Sequence, residues 1–206
     1  MLDFKKDLKE QYQPKTTPSI IEVPEITVIA VDGAGDPNTS ASYKEAIEIL
    51  YALSYAIKMG NKAVLEYVVA PLEGFWEVAD DFKGGGAVIN DKNKFVWTSF
   101  IRQPDFVNKD VFAAALATVA KKKPGLDVSR ARLETIREGL CAQAMHIGSY
   151  DNEPGTIATI DRFAVDNGYE IDMADGRRHH EIYLSDPRKV APEKLKTVIR
   201  HPIKRT

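Results

Sequence analysis

Only one cysteine, Cys141, occurs in the 206 residues, so no disulfide framework staples the chain, which fits a reducing compartment. Its position in an apolar strand-like run marks it as a small buried hydrophobe rather than a nucleophile. Long hydrophobic runs are missing: nowhere do the ~18 apolar residues that span a bilayer occur in a row. The opening MLDFKKDLKE has no apolar core of a secretory signal. Charge of one sign is missing too. With 28 Lys+Arg against 30 Asp+Glu the formal net charge is -2, which gives no electrostatic case for nucleic acid or anionic membranes. The Lys121-Lys122-Lys123 run reads as a helix end, stopped by Pro124-Gly125. These absences predict a cytoplasmic protein with neither a nucleic-acid nor a membrane partner.

Several common chemistries are excluded in the same way. There is no Gly-x-Ser-x-Gly nucleophile turn. Gly84-Gly85-Gly86 lacks the following Gly-Lys-Ser/Thr and helix of a phosphate loop. His179 and His180 are strand neighbours that point to opposite faces, so they do not share a metal. His146, His179 and Glu181 lack a recognised ligand spacing. No metal and no cofactor is expected.

What is present is ordinary globular composition, 44% apolar and 28% charged, in a chain long enough for a real core. Residues 1–19 read as a polar N-terminal arm. A buried strand at Ile26–Val31 runs into the turn signal Asp32-Gly33-Ala34-Gly35-Asp36-Pro37. Tyr43, Ala46, Ile47, Leu50, Leu53 and Ile57 then repeat at helical spacing. Short strands are predicted at Leu65–Val69 and Phe75–Val78, a stronger one at Phe95–Ile101, and a helix after Asn108. The second half repeats the order: strands at Ala131–Arg137 and Leu140–Ile147, a helix opened near Pro154, the strand holding Glu181, and a last strand around Leu195–Ile199. "VIAVDGAGDPN" (28–38) and "QAMHIGSYDNE" (143–153) each pass from an apolar strand through glycine into a polar turn and a helix. The chain therefore reads as an α+β fold of two β-α-β-β modules, about 20–125 and 126–203, in one domain over 20–203. Each module's single helix leaves a sheet face bare, and joining the bare faces predicts a shared groove.

The most informative stretch is His179-His180-Glu181-Ile182-Tyr183-Leu184. Strand alternation puts His179, Glu181 and Tyr183 on one face and His180, Ile182 and Leu184 on the other. Taken alone, this also fits a solvent-facing strand surface. Lining a cavity, Glu181 becomes a fixed carboxylate beside a phenol, equipped to bind a cation or move protons.

The strings "AMHIGSYDNEP" (144–154), "HHEIYLSDPRK" (179–189) and "LKTVIRHPI" (195–203) resemble the GyrI-like small-molecule-binding family, built from two SHS2-type modules. "EYVVAPLEGFWEV" (66–78) and "FVWTSFIRQPDFV" (95–107) are similar to a stand-alone bacterial branch whose members hydrolyse cyclopropane-bearing DNA-alkylating natural products. The resemblance implies a concave antiparallel sheet with helices on one face and a ligand groove on the other. It implies that Glu181 is the central glutamate, and that the aromatic lining comes from among Tyr67, Phe75, Trp76, Trp97, Tyr150 and Tyr183. Glu181 as a base on water, with Tyr67, Tyr150 or Tyr183 as proton donor, would open a strained ring. Pro71, Leu72, His146 and His179 complete the expected ligand-binding set. Residues 1–20 are too short for a helix-turn-helix, which puts a regulator role aside. The expected partner is a hydrophobic planar or cationic small molecule, and the expected state a monomer or weak homodimer. The competing functions are sequestration without turnover, and inhibition of a protein such as gyrase.

Overall fold

The computed structural model describes residues 1–78 and 92–206. The first half contains two one-turn helices, α1 (Phe4–Asp7) and α2 (Lys9–Tyr12), then β1 (Ser19–Val23), β2 (Ile26–Ala34), α3 (Ala41–Gly60), β3 (Leu72–Val78), β4 (Phe95–Arg102) and α4 (Lys109–Lys122). The second contains β5 (Arg132–Ile136), β6 (Gly139–Ile147), α5 (Glu153–Asp166), β7 (Tyr169–Ile171), β8 (His179–Tyr183) and β9 (Lys196–Arg205). The Gly84-Gly85-Gly86 stretch lies outside the described residues. Local chemistry sets the helix starts. The Ser40 hydroxyl accepts from the Tyr43 N–H to cap α3, and Asn108 caps α4. Pro154 stands in the first turn of α5, where its missing N–H leaves no bond unmade. Where sequence predicted a strand at Leu65–Val69, there is only a single parallel bridge from Tyr67 to Leu2.

The sheet runs in the order β1-β6-β9-β8-β3-β4-β2-β5, with β7 pairing the far end of β9, and every strand pair is antiparallel. This order is symmetric about its centre. β2-α3-β3-β4 forms one module and β6-α5-β8-β9 the other, and they meet where β3 pairs β8. The leading strand of each module pairs with the other module: β1 with β6, and β5 with β2. Residues 24–25 alone connect β1 to β2, and residues 137–138 alone connect β5 to β6. Links so short reach across only because the sheet curls and brings its ends together.

Directly paired residues share a face. One face carries Ile29, Val31, Trp97, Ile101, Gly74, Glu181, Ile199 and Ala144 through the registers of β2, β4, β3, β8, β9 and β6. Ala46, Ile49, Leu50, Leu53 and Ile57 of α3 pack on the β2–β4 half of this face. Ile160 and Ala164 of α5 pack on Ala142, Ala144 and Ile199 in the other half. α3 and α5 thus lie on one side, as expected, but the groove opens on that same side, between them. The side away from α3 and α5 is the inside of the curl. Phe4 and Tyr12 of the arm pack there, and Glu138 of the second short link reaches the central strands across it. The expected placement on the opposite face fails because that face is filled by the arm and by Glu138, which come from elsewhere in the chain. Among the described residues, no helix is long and apolar enough to cross a membrane.

Candidate functional site in the groove between α3 and α5

Glu181 sits at the centre of the sheet, paired with Gly74 on one side and Ile199 on the other. Glycine at 74 leaves room above the strand: a Cβ there would meet Trp76 Nε1 at 3.1 Å and the Tyr183 hydroxyl at 3.5 Å. Those two groups are part of the site. The Trp76 indole donates to the Tyr183 hydroxyl (2.8 Å), which in turn donates to Glu181 Oε2 (2.6 Å). On the other oxygen, Glu181 Oε1 lies 2.8 Å from His179 Nε2. His179 Nδ1 is 2.7 Å from His201 Nε2, and His201 Nδ1 is 2.6 Å from Asp161 Oδ1 on α5. A continuous line of hydrogen bonds therefore crosses the groove floor from α5 to β3.

Burial by itself would raise the Glu181 carboxyl, but the His179 and Tyr183 hydrogen bonds outweigh it and hold the group below its ordinary value. Beside it lies Glu153 from the start of α5. Burial, reinforced by the Glu181 charge, pushes Glu153 up to about 10, so it keeps its proton at neutral pH. Two neighbouring carboxyls thus sit in opposite protonation states, the arrangement that separates an acid from a base.

The walls are aromatic. Tyr43, Tyr51, Trp76, Phe95, Tyr150 and Tyr183 line the groove, whose volume is about 2540 Å³. That exceeds the ~300–1,000 Å³ of a closed drug-sized pocket and fits an open trough. Tyr150 meets Tyr183 edge-on at 6.0 Å, and Tyr43 tilts against Trp76 at 6.0 Å. Burial raises the Tyr150 phenol to about 12 and lifts those of Tyr43 and Tyr183 as well.

Of the sequence-derived residues, Pro71, Leu72, Trp76, Tyr150, His179, Glu181 and Tyr183 all line the groove. Four are placed elsewhere. Tyr67 is 1% exposed, packed edge-on against Phe106 away from the trough. Phe75, next to Trp76 in β3, points to the opposite face, tilted against Phe100 and edge-on to His180. Trp97 is on the groove side but wholly buried, lying flat over Gly33 with Tyr43 edge-on above it. A Cβ on Gly33 would come within 2.1 Å of that indole, so glycine here is what lets Trp97 lie down. His146 bonds Thr156 Oγ1 and the Ser149 carbonyl, tying the Tyr150 loop to α5 instead of facing a ligand.

Sequence reasoning missed Glu153, Asp161, His201 and Tyr43. One signal was available: Glu153, Ile157 and Asp161 are spaced i, i+4, i+8, so one stripe of α5 carries two carboxylates into the groove.

The GyrI-like small molecule binding domain matches residues 16–204. An uncharacterized conserved protein from Listeria innocua is 42% identical, with a TM-score of 0.92 over 99% of this chain and 100% of that one. A hydrolase from Listeria innocua is 40% identical, with a TM-score of 0.89 over 99% of this chain and 100% of that one. The EcmrR C-terminal domain, 15% identical with a TM-score of 0.55 over 92% of this chain and 98% of that one, shares the fold alone. No curated protein matches. A trough with a central glutamate and aromatic walls on paired modules, and a family match over nearly the whole chain, lead to one assignment: this protein belongs to the GyrI-like small-molecule-binding domain family.

Proposed function

We propose that this protein is a cytoplasmic detoxification enzyme that opens planar, cyclopropane-bearing genotoxic compounds by adding water. The observation that carries this reading is the pair of adjacent carboxyls, Glu181 held ionised and Glu153 held neutral up to about 10, on the floor of an aromatic trough. The water oxygen bonds to the strained ring carbon as the cyclopropane C–C bond breaks. The released electron pair flows into the conjugated dienone, whose oxygen takes up a proton. Glu181 accepts the proton leaving the water and Glu153 supplies the one the ligand oxygen gains, so one water is added overall. Each such group is worth roughly 10²–10⁴ in rate.

The tyrosines take other roles in this reading. The single hydroxyl proton of Tyr183 is committed to Glu181, so Tyr183 positions the base and does not serve the ligand. Tyr67, outside the trough, has no part. Trp76, Tyr43 and Tyr150 offer flat faces to a planar ligand. The likeness to a Listeria hydrolase supports the reaction class.

One observation favours sequestration without turnover: four rings, Tyr43, Trp76, Tyr150 and Tyr183, surround an ionised Glu181, a setting that also suits a hydrophobic cation. The deciding experiment incubates the protein with a cyclopropanoid alkylator in large molar excess. Ring-opened product beyond one equivalent supports the enzyme. Tight binding with no product assigns the trough to sequestration.

A further inference from the structure

Three hydrogen bonds join Asp161 to Glu181 through two imidazole rings, at 2.6, 2.7 and 2.8 Å. At such distances each contact holds a proton, because two facing lone pairs would repel. Two neutral imidazoles bring one N–H each. With both end carboxylates ionised, the line is one proton short unless the ring pair carries an extra one. The chain is therefore built for three protons, with a single positive charge shared between His179 and His201.

We propose that Asp161 and His201 hold one excess proton on the His179–His201 pair, and that this shared charge keeps Glu181 ionised and ready as the groove's base. Asp161 and His201 are positioning residues: they act on Glu181 through His179. Passing the proton from His179 Nε2 to Glu181 Oε1 would break an N–H bond, form an O–H bond and neutralise the base, so the line serves Glu181 while its excess proton stays on the rings. Its outer end is open to water, since the Asp161 side chain is 30% exposed whereas that of His201 is 5% exposed. Burial and the neighbouring His179 charge push His201 down, which fits one charge for two rings rather than two. The other titratable groups facing this line are Glu153 from α5, Tyr183 from β8, Tyr43 from α3 and Tyr150 from the loop before α5. The effect on catalysis rests on the hydrolase reading; the proton count does not.

The test uses nuclear magnetic resonance on the full chain, with labelled histidine rings and carboxyl groups, and needs no substrate. At pH 7 the two rings should together carry three N–H protons. In Asp161→Asn, whose amide can satisfy His201 without a charge, the Glu181 carboxyl should titrate about one unit higher or more, the ordinary effect of losing a nearby cation. Asp161→Glu should restore the wild-type midpoint, and Asp166→Asn, on the exposed end of the same helix, should leave it unmoved. With a cyclopropanoid alkylator as substrate, the acid limb of the kcat profile should move with that midpoint while KM stays constant. Two N–H protons in place of three, a Glu181 midpoint unmoved in Asp161→Asn, or a kcat profile that fails to follow it would each overturn the proposal. A wild type that turns nothing over sinks the hydrolase reading instead, and the resonance measurements still decide the relay.

Discussion

On the inner face of β8, His180 is clamped between Glu138 and Glu73 at 2.9 and 3.0 Å, with Arg200 on the second oxygen of Glu138 and Tyr12 on the second oxygen of Glu73. On the outer face, one residue either side, His179 and Glu181 join a line that ends in open groove. Both clusters bury histidines among carboxylates. The inner one is closed and balanced: two carboxylates, one guanidinium and one imidazolium, all within 4% exposure. Burial opposes charge on His180 and Glu138, yet mutual attraction wins, raising His180 and lowering Glu138 to about 2. The outer cluster keeps Glu153 neutral beside the ionised Glu181 and opens onto the groove. A closed network of this kind fixes register and docks the arm, whereas an open one has capacity left for a ligand.

The largest loss of stability is expected on the inner face. Arg200→Met leaves Glu138 short of its cation in a buried site and should cost about 3–5 kcal/mol, read as a lower denaturant midpoint. Trp97→Ala should cost a similar ~3–5 kcal/mol by opening a cavity under α3, and Trp76→Ala, on the groove wall, should weaken planar ligands with little change in stability. On the outer face, Glu181→Gln should leave the protein folded with ligand affinity intact and slow single-turnover ring opening by roughly 10²-fold or more. An unchanged rate would remove Glu181 from the chemistry.

A smaller effect separates the faces by pH. Glu138 is depressed, so its contribution is present above about 4.5 and is lost as pH falls toward about 2. His180 is raised, so its contribution is complete below 6.5 and fades as pH climbs through its folded value. Glu153 is raised to about 10 from 4.5, so stability falls progressively as pH rises between those values. The melting temperature should therefore decline from about pH 6 to 9, and less steeply in Glu153→Gln, whose amide has no proton to lose. Equal slopes would mean that Glu153 is ionised in the folded protein. The smallest change is Gly74→Ala, whose methyl would press on Trp76 and Tyr183. It should lower the ring-opening rate several-fold with the fold unaltered, as rate and melting temperature measured together would show.

Period-two alternation is enough to put His179, Glu181 and Tyr183 on one face and His180 on the other, because register within one strand is a local property; that the first face lines a groove takes the docking of α3 and α5. The paired-module plan was legible for a similar reason, each half repeating its own strand–glycine–helix signal. Partners supplied by docking were not. His201 meets His179 through the pairing of β8 with β9, and Asp161 arrives with α5. Trp97 lies in the predicted strand Phe95–Ile101, but nothing local shows that Tyr43 of α3 covers it. Phe75 and Trp76 both belong to the aromatic lining the resemblance implies, yet as strand neighbours they diverge and only Trp76 lines the groove. Tyr67 lies in an apolar run that reads as a strand, although it pairs only at a single bridge.

The crossed leading strands make the two halves hostages of each other. A chain cut between α4 and β5 would yield two pieces, each holding the edge strand the other needs: β1 leaves with the first piece although its partner β6 is in the second, and β5 leaves with the second although its partner β2 is in the first. Neither piece alone should fold, since each would expose a bare strand edge and half of a curl. Mixed together, they should reassemble without a covalent bond, as a split protein that reports on its own reunion.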